Sequence, residues 1–170
     1  MDYAVTDSRL DASCAIVCGH SRLGKTALLA AATDARFAFA HSNDSGCSGA
    51  AISRDKGGER IDAILTRFPF WFCGNYPAWV DREHEMPFDQ HMLLALMAPR
   101  AVYVSSAILD EWADPQSEYL SCRLAGEAFE LLGKKGLVSE DEEPVLGKMY
   151  HEGNIGYHMH EGGHRLCPED

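Results

Sequence analysis

Basic residues are scarce in this 170-residue chain. Fifteen lysines and arginines stand against 26 aspartates and glutamates, for a net charge of −11. Such a chain is repelled by polyphosphates and by anionic lipid, which argues against nucleic acid or membrane as its main partner. No run of about 18 apolar residues occurs, so nothing reads as a membrane-spanning helix. The first residues, Met1-Asp2-Tyr3-Ala4-Val5-Thr6-Asp7, contain neither a basic stretch nor an apolar one, and no secretory leader is visible. The cysteines (Cys14, Cys18, Cys47, Cys73, Cys122 and Cys167) include no CxxC pair, against zinc-ribbon and thioredoxin-like readings. Cys14 and Cys18 fall in an apolar run and are expected to be buried. Most of the six are expected to be reduced, although an even number leaves disulfides open. Repeats and low-complexity tracts are absent. The remaining composition, 46% apolar, is that of a globular protein, and the length suits one domain.

Residues 13–18 form a short apolar run ending at Gly19 and read as a buried parallel strand. An Ala- and Leu-rich helix is expected over 23–33, a second strand over 36–42, and a polar, Gly-rich loop over 43–49. A short helix follows over 61–68, then an aromatic, proline-broken excursion over 69–87. A helix over 89–97 is stopped by Pro99 and leads to a third strand over 101–106. Asp114 and Pro115 look like the N-cap and first position of a long helix that ends near Leu132, with Gly133 as its C-cap. Residues 134–148 read as a charged surface connection, and 155–159 as a fourth strand before a Gly-Gly-His turn. This alternation predicts a parallel sheet with crossover helices.

The strongest local signal is Gly19-His20-Ser21-Arg22-Leu23-Gly24-Lys25, between the first strand and the first helix. A serine on such a turn projects its hydroxyl above the sheet, with a helix N-terminus behind it to stabilise an oxyanion. The segment departs from GxSxG because its second glycine comes one residue late. It also satisfies the P-loop pattern from Gly19 to Thr26 in full. Against a P-loop, the turn is poor in glycine and no clean apolar Walker B strand precedes Asn43-Asp44.

A nucleophilic serine needs a histidine base, and that base needs a carboxylate to hold its tautomer. On a strand–turn–helix nucleophile the chain order is serine, acid, histidine. His164, after the last strand and behind Gly162 and Gly163, is the candidate base. Two residues can supply the acid: Asp44 after the second strand and Asp110 after the third. Asp114 reads as a cap and Glu111 as a solvated neighbour. His158, His160 and His164 could suggest a metal cluster, but no supporting cysteine or carboxylate spacing accompanies them.

Several segments together resemble the bacterial glucuronoyl esterases, carbohydrate esterase family 15. They are Gly19 to Lys25, Ser42 to Ala51, Pro87-Phe88-Asp89-Gln90-His91, Ala98-Pro99-Arg100, Asp110-Glu111-Trp112-Ala113-Asp114-Pro115 and Gly162-Gly163-His164. The resemblance covers nearly the whole chain. It implies an α/β-hydrolase, a three-layer sandwich around a mostly parallel sheet. The implied activity is cleavage of esters between 4-O-methyl-glucuronic acid on xylan and lignin alcohols, without cofactor or metal. By the same resemblance Ser21 is the nucleophile, His164 the base, Arg22 an oxyanion-stabilising residue, and Lys25 and Trp112 sugar contacts. The family's acid commonly follows the second strand as Glu, where this chain has Asp44; some bacterial members use the later position, matched by Asp110. We expect Asp44 to be the acid, with Asp110 in support. Fungal members carry Cys before the serine; His20 stands there here, so that disulfide is absent. The resemblance also implies a secreted or periplasmic enzyme.

About four strands are foreseen where this fold has about eight. Residues 1–170 therefore read as the C-terminal part of a single α/β-hydrolase domain that lacks its N-terminal strands. The same residues expressed alone are expected to show little esterase activity and to aggregate, because a sheet edge would lie open; the upstream half would restore activity. Three rival readings stand beside this one: another esterase or peptidase of the same fold, a P-loop nucleotide-binding protein, and a non-catalytic fragment.

Overall fold

A computed structural model describes residues 1–166. Its framework is a five-stranded sheet in the order β1-β2-β3-β5-β4. Strands β1 (Ile16–His20), β2 (Phe39–Asn43), β3 (Ala101–Ala107) and β5 (Ile155–His160) are parallel, and the two-residue β4 (Met149–Tyr150) is antiparallel to β5. Strand β4 is not foreseen from the sequence, since two residues carry no periodicity. It closes one edge of the sheet at the end of the charged connection.

The crossovers contain α1 (Arg22–Thr33), α2 (Ile61–Arg67), α3 (Gln90–Ala95) and α4 (Pro115–Leu131). Each parallel connection runs on to the next strand, so α1, α3 and α4 pack against the same sheet face, as right-handed crossovers require. Together they bury one core: Leu28 and Ala31 from α1, Leu94 from α3, Val102 and Val104 from β3, and Tyr119, Cys122 and Phe129 from α4. Sheet and helices are two of the three layers expected. Asp114 caps α4 as foreseen, accepting from Ser117 N at 3.1 Å, with Pro115 at the first helical position. Asp89 caps α3, and its carboxylate also accepts from Ser53 N at 2.7 Å. In the Ala98-Pro99-Arg100 segment, Arg100 donates to the carbonyls of Phe37 (2.7 Å) and Ala31 (2.9 Å), which ties β2 and α1 to the start of β3.

The aromatic excursion builds a satellite core above the C-terminal ends of the strands. Ile61, Ile64 and Met86 are buried there against Phe68, Trp71, Phe72, Tyr76 and Trp79. At the opposite edge, β1 pairs only with β2 among the described residues, and Ile16 is 63% exposed. Cys18 on β1 is consequently exposed, and Cys14 is exposed in a 3-10 turn (Ala12–Cys14) that precedes the strand, correcting the expectation that both are buried. An apolar run reads as interior only where the strand is covered on both sides. Cys14, Cys47, Cys73 and Cys122 are free thiols, and Cys47 and Cys122 are the buried cysteines among the described residues. Cys167 lies outside the described residues.

Candidate active site

Ser21 sits between β1 and α1 with φ 58° and ψ −126°, a conformation that non-glycine residues adopt only under external constraint. The constraint is the close approach of strand and helix. A Cβ at position 19 would lie 2.0 Å from the carbonyl oxygen of Leu23, so only glycine lets α1 start there. Serine at a helix N-terminus usually caps it, yet the Ser21 side chain makes no capping bond. Its hydroxyl instead lies 2.8 Å from Nε2 of His164.

His164 follows β5 through Gly162, whose φ of 111° turns the chain back over the strand ends. Its Nδ1 donates to Oδ2 of Asp110 at 2.5 Å. This fixes the proton on Nδ1 and leaves the Nε2 lone pair facing the serine. Asp110 is buried in the turn after β3, where its Oδ1 also accepts from Ala113 N at 3.2 Å. The bond to the histidine, expected first of Asp44, is thus made by Asp110. Asp44 has φ 44° and turns its carboxylate to the backbone of the neighbouring strand, accepting from Ala107 N at 2.7 Å. It stays close enough that one ligand atom from each of Asp44, Asp110 and His164 lie within 4.8 Å of one another. Burial is the main cause that pushes the Asp44 carboxyl up to about 6, against the Ala107 hydrogen bond, which pulls it down.

That shift has a measurable sign. Between the ordinary carboxylate value of 3.8 and about 6, the folded chain binds a proton at Asp44 that the unfolded chain releases. Stability from this group is therefore full below 3.8 and is lost as pH rises through 6, a swing of about 3 kcal/mol. Asp44→Asn keeps the acceptor for Ala107 and removes the buried charge. Its melting temperature should exceed that of the parent at pH 8, and the gap should close near pH 4.5. Calorimetry at the two pH values checks this; an equal gap at both would show that Asp44 titrates normally.

On the other side of Ser21, the Lys25 ammonium donates to the carbonyls of Ser45 and of Cys47, the latter at 2.7 Å. Burial lowers the pKa of Lys25, while the nearby Glu59 and Glu118 carboxylates oppose that shift. With Nζ held by two carbonyls, Lys25 is not set in a phosphate cradle as the P-loop reading requires. Trp112 is half-exposed, and its indole N–H donates to Oε1 of Glu59 at 3.1 Å. Glu59 is a buried carboxylate that no local pattern in the sequence marks. Arg22 is exposed and lines, with Lys25, Trp71, Phe72 and Tyr76, a cavity of about 500 Å3. His158 and His160 share a sheet face with ring centroids 5.8 Å apart, and their Nδ1 atoms engage Tyr103 Oη and the Glu161 carbonyl.

A family model described as glucuronyl esterase of fungi matches residues 3–133. The chain belongs to the glucuronoyl esterase family. The match includes Ser21, Asp44 and Asp110. A carbohydrate esterase from an unknown prokaryotic organism is 46% identical over 170 residues, which is 100% of this chain and 39% of the relative. A 4-O-methyl-glucuronoyl methylesterase of Podospora anserina is 32% identical over 69% of this chain and 26% of its own length. The solved structure of the glucuronoyl esterase from Solibacter usitatus superposes with a TM-score of 0.91 at 49% identity, covering 99% of this chain and 42% of that one. The chain thus spans about two-fifths or less of these relatives, and the fold is that of an α/β-hydrolase.

One more buried group supports this glucuronoyl esterase-family site. Glu118, in the first turn of α4, is fully buried; its Oε1 accepts from Gly46 N (2.8 Å) and Ser45 Oγ (3.2 Å), and its Oε2 from Ser106 Oγ (2.6 Å). It anchors the loop whose carbonyls hold Lys25. Burial pushes its carboxyl up to about 7 against the pull of those hydrogen bonds. Its helical position resembles that of any surface glutamate, so only the tertiary packing reveals it.

Proposed function

We propose that the chain carries the catalytic machinery of a serine carboxylic-ester hydrolase that cleaves esters between xylan-borne 4-O-methyl-glucuronic acid and lignin alcohols. The observation that carries this is the continuous line from Ser21 Oγ through His164 to Asp110, built on a strained strand-to-helix turn. In the reaction, Nε2 of His164 takes the Ser21 proton as Oγ attacks the uronic ester carbonyl, and Asp110 stabilises the imidazolium. The Arg22 backbone N–H, at the start of α1, and the Arg22 guanidinium stabilise the oxyanion. The tetrahedral species collapses, His164 protonates the departing alcohol, and a glucuronoyl-serine ester remains. Water, deprotonated by His164, then releases the acid and restores the serine.

Lys25, Trp112 and the adjoining Glu59 form the sugar side of the site. The ammonium hydrogen-bonds hydroxyls, and the indole offers an apolar face. The relatives' names, glucuronoyl esterase and 4-O-methyl-glucuronoyl methylesterase, support this substrate class. Because the ester joins polymers too large to enter a cell, we place the enzyme outside the cytoplasm, secreted or periplasmic. No helix among the described residues is long and apolar enough to cross a membrane.

We further propose that the chain is the C-terminal part of one catalytic domain, and that an upstream segment pairs with the open edge of β1. The exposed Ile16 and the lengths of the relatives support this.

The test compares benzyl glucuronate with a simple acetyl ester, with and without the upstream segment. Hydrolysis of the glucuronate alone, strongest with the segment present, supports the reading. Preference for the acetyl ester argues for a different esterase, and ATP affinity lost in Lys25→Ala argues for a nucleotide-binding protein. Trp112→Ala should raise KM for the glucuronate about tenfold with a smaller change in kcat, as lost uniform binding does.

A further inference from the structure

His164 is exposed and stands on a glycine-containing turn, yet proton transfer needs its ring held in one orientation. Its two hydrogen bonds, to Asp110 and Ser21, lie at opposite corners of the imidazole. They fix an axis across the ring, and leave the ring free to roll about that axis. A third contact is therefore required, against the ring itself.

Among the described residues that contact comes from His20, whose ring centroid lies 4.5 Å from that of His164 at an interplanar angle of 45°. His20 is the last residue of β1 and is itself held in place. Its Nδ1–H donates to Oδ1 of Asn43 at 2.5 Å, and Asn43 Nδ2 donates to Ser105 Oγ at 2.9 Å. Asn43 and Ser105 are fully buried. Strand register supports the line, since His20 is level with Asn43 and Asn43 with Ser105 across β1, β2 and β3. The ring that touches His164 is thus moored to three strands, and every bond in the line has its donor and acceptor matched.

We propose that His20, seated by Asn43, is a positioning residue that prevents the His164 ring from rolling out of the Asp110–Ser21 line. This rests on the proposed catalytic role of His164, and it requires a flat ring at position 20 rather than mere bulk. Substitution should therefore act on turnover and leave substrate binding nearly intact.

The test follows two readouts in the full chain together with any upstream segment that its activity requires. One is steady-state hydrolysis of benzyl glucuronate. The other is the His164 Nδ1–H resonance in protein labelled with 15N-histidine, which reports the ring without any turnover. His20→Leu keeps bulk and loses the flat ring. It should lower kcat roughly tenfold with KM within about twofold, and broaden the His164 signal. His20→Phe keeps a flat ring but loses the bond to Asn43, so it should recover only part of kcat and of the signal's sharpness. Leu and Phe variants that both match the parent in kcat and in the His164 resonance overturn the proposal, and so does equal damage in both. If the parent chain hydrolyses no glucuronate ester, the substrate reading fails, and the resonance comparison still decides the role of His20.

Discussion

Ser21→Ala is expected to lower ester hydrolysis by on the order of 10³-fold or more while leaving the fold intact. The hydroxyl makes one side-chain hydrogen bond, to His164, and no capping bond to α1, so its removal leaves no buried partner stranded. Alanine at 21 inherits the φ of 58°, which the packing of β1 against α1 imposes on serine equally. Melting temperature should therefore shift little, and near-complete loss of turnover at unchanged stability is the signature of a nucleophile. A serine-directed fluorophosphonate should label the parent and not the variant. Retention of more than about a tenth of the parent rate would sink the assignment.

The second large effect separates the two aspartates. Asp110→Asn should cost on the order of 10⁴-fold in kcat, because an amide at that position no longer fixes the proton on Nδ1 of His164 and can itself donate toward the ring. Asp44→Asn should cost about tenfold or less: the carboxylate is spent on Ala107 N, and its charge reaches the imidazolium only through space. Parallel kinetics of the two variants, with circular dichroism to confirm folding, decide the order. A severe Asp44→Asn with a mild Asp110→Asn would return the role to the residue that sequence alone favoured. Two mild single variants with a severe double would mean that the role is shared.

The placement of Ser21 and His164 was legible in the sequence because each belongs to a local pattern. A glycine-bounded turn between strand and helix sets the first, and a Gly-Gly-His turn after the final strand sets the second. The two candidate acids follow neighbouring strands and look alike on paper. What separates them is the positive φ at Asp44, which turns its carboxylate onto the β3 backbone. Burial of Cys18 failed for a related reason: strand order is a long-range property, and it puts β1 at the edge; Cys14 falls in the 3-10 turn before that strand. Glu59 and Glu118 were invisible because a carboxylate in a loop or on a helix face is ordinarily solvated. Their burial depends on partners outside any local pattern: Trp112, 53 residues away, for one, and Ser45 and Gly46, more than 70 residues away, with Ser106, 12 away, for the other.

The close approach at Gly19 bears on how mutational data for this chain should be interpreted. Any side chain there meets the Leu23 carbonyl, and one at Gly24 meets Cβ of Ser45 at 2.9 Å. Either change displaces α1, and with it Ser21 and Arg22, without touching the substrate. A saturation screen scored on ester cleavage would rank both glycines beside the serine and the histidine. Only a companion screen scored on folded abundance would separate the residues that perform the reaction from those that hold the helix against the strand.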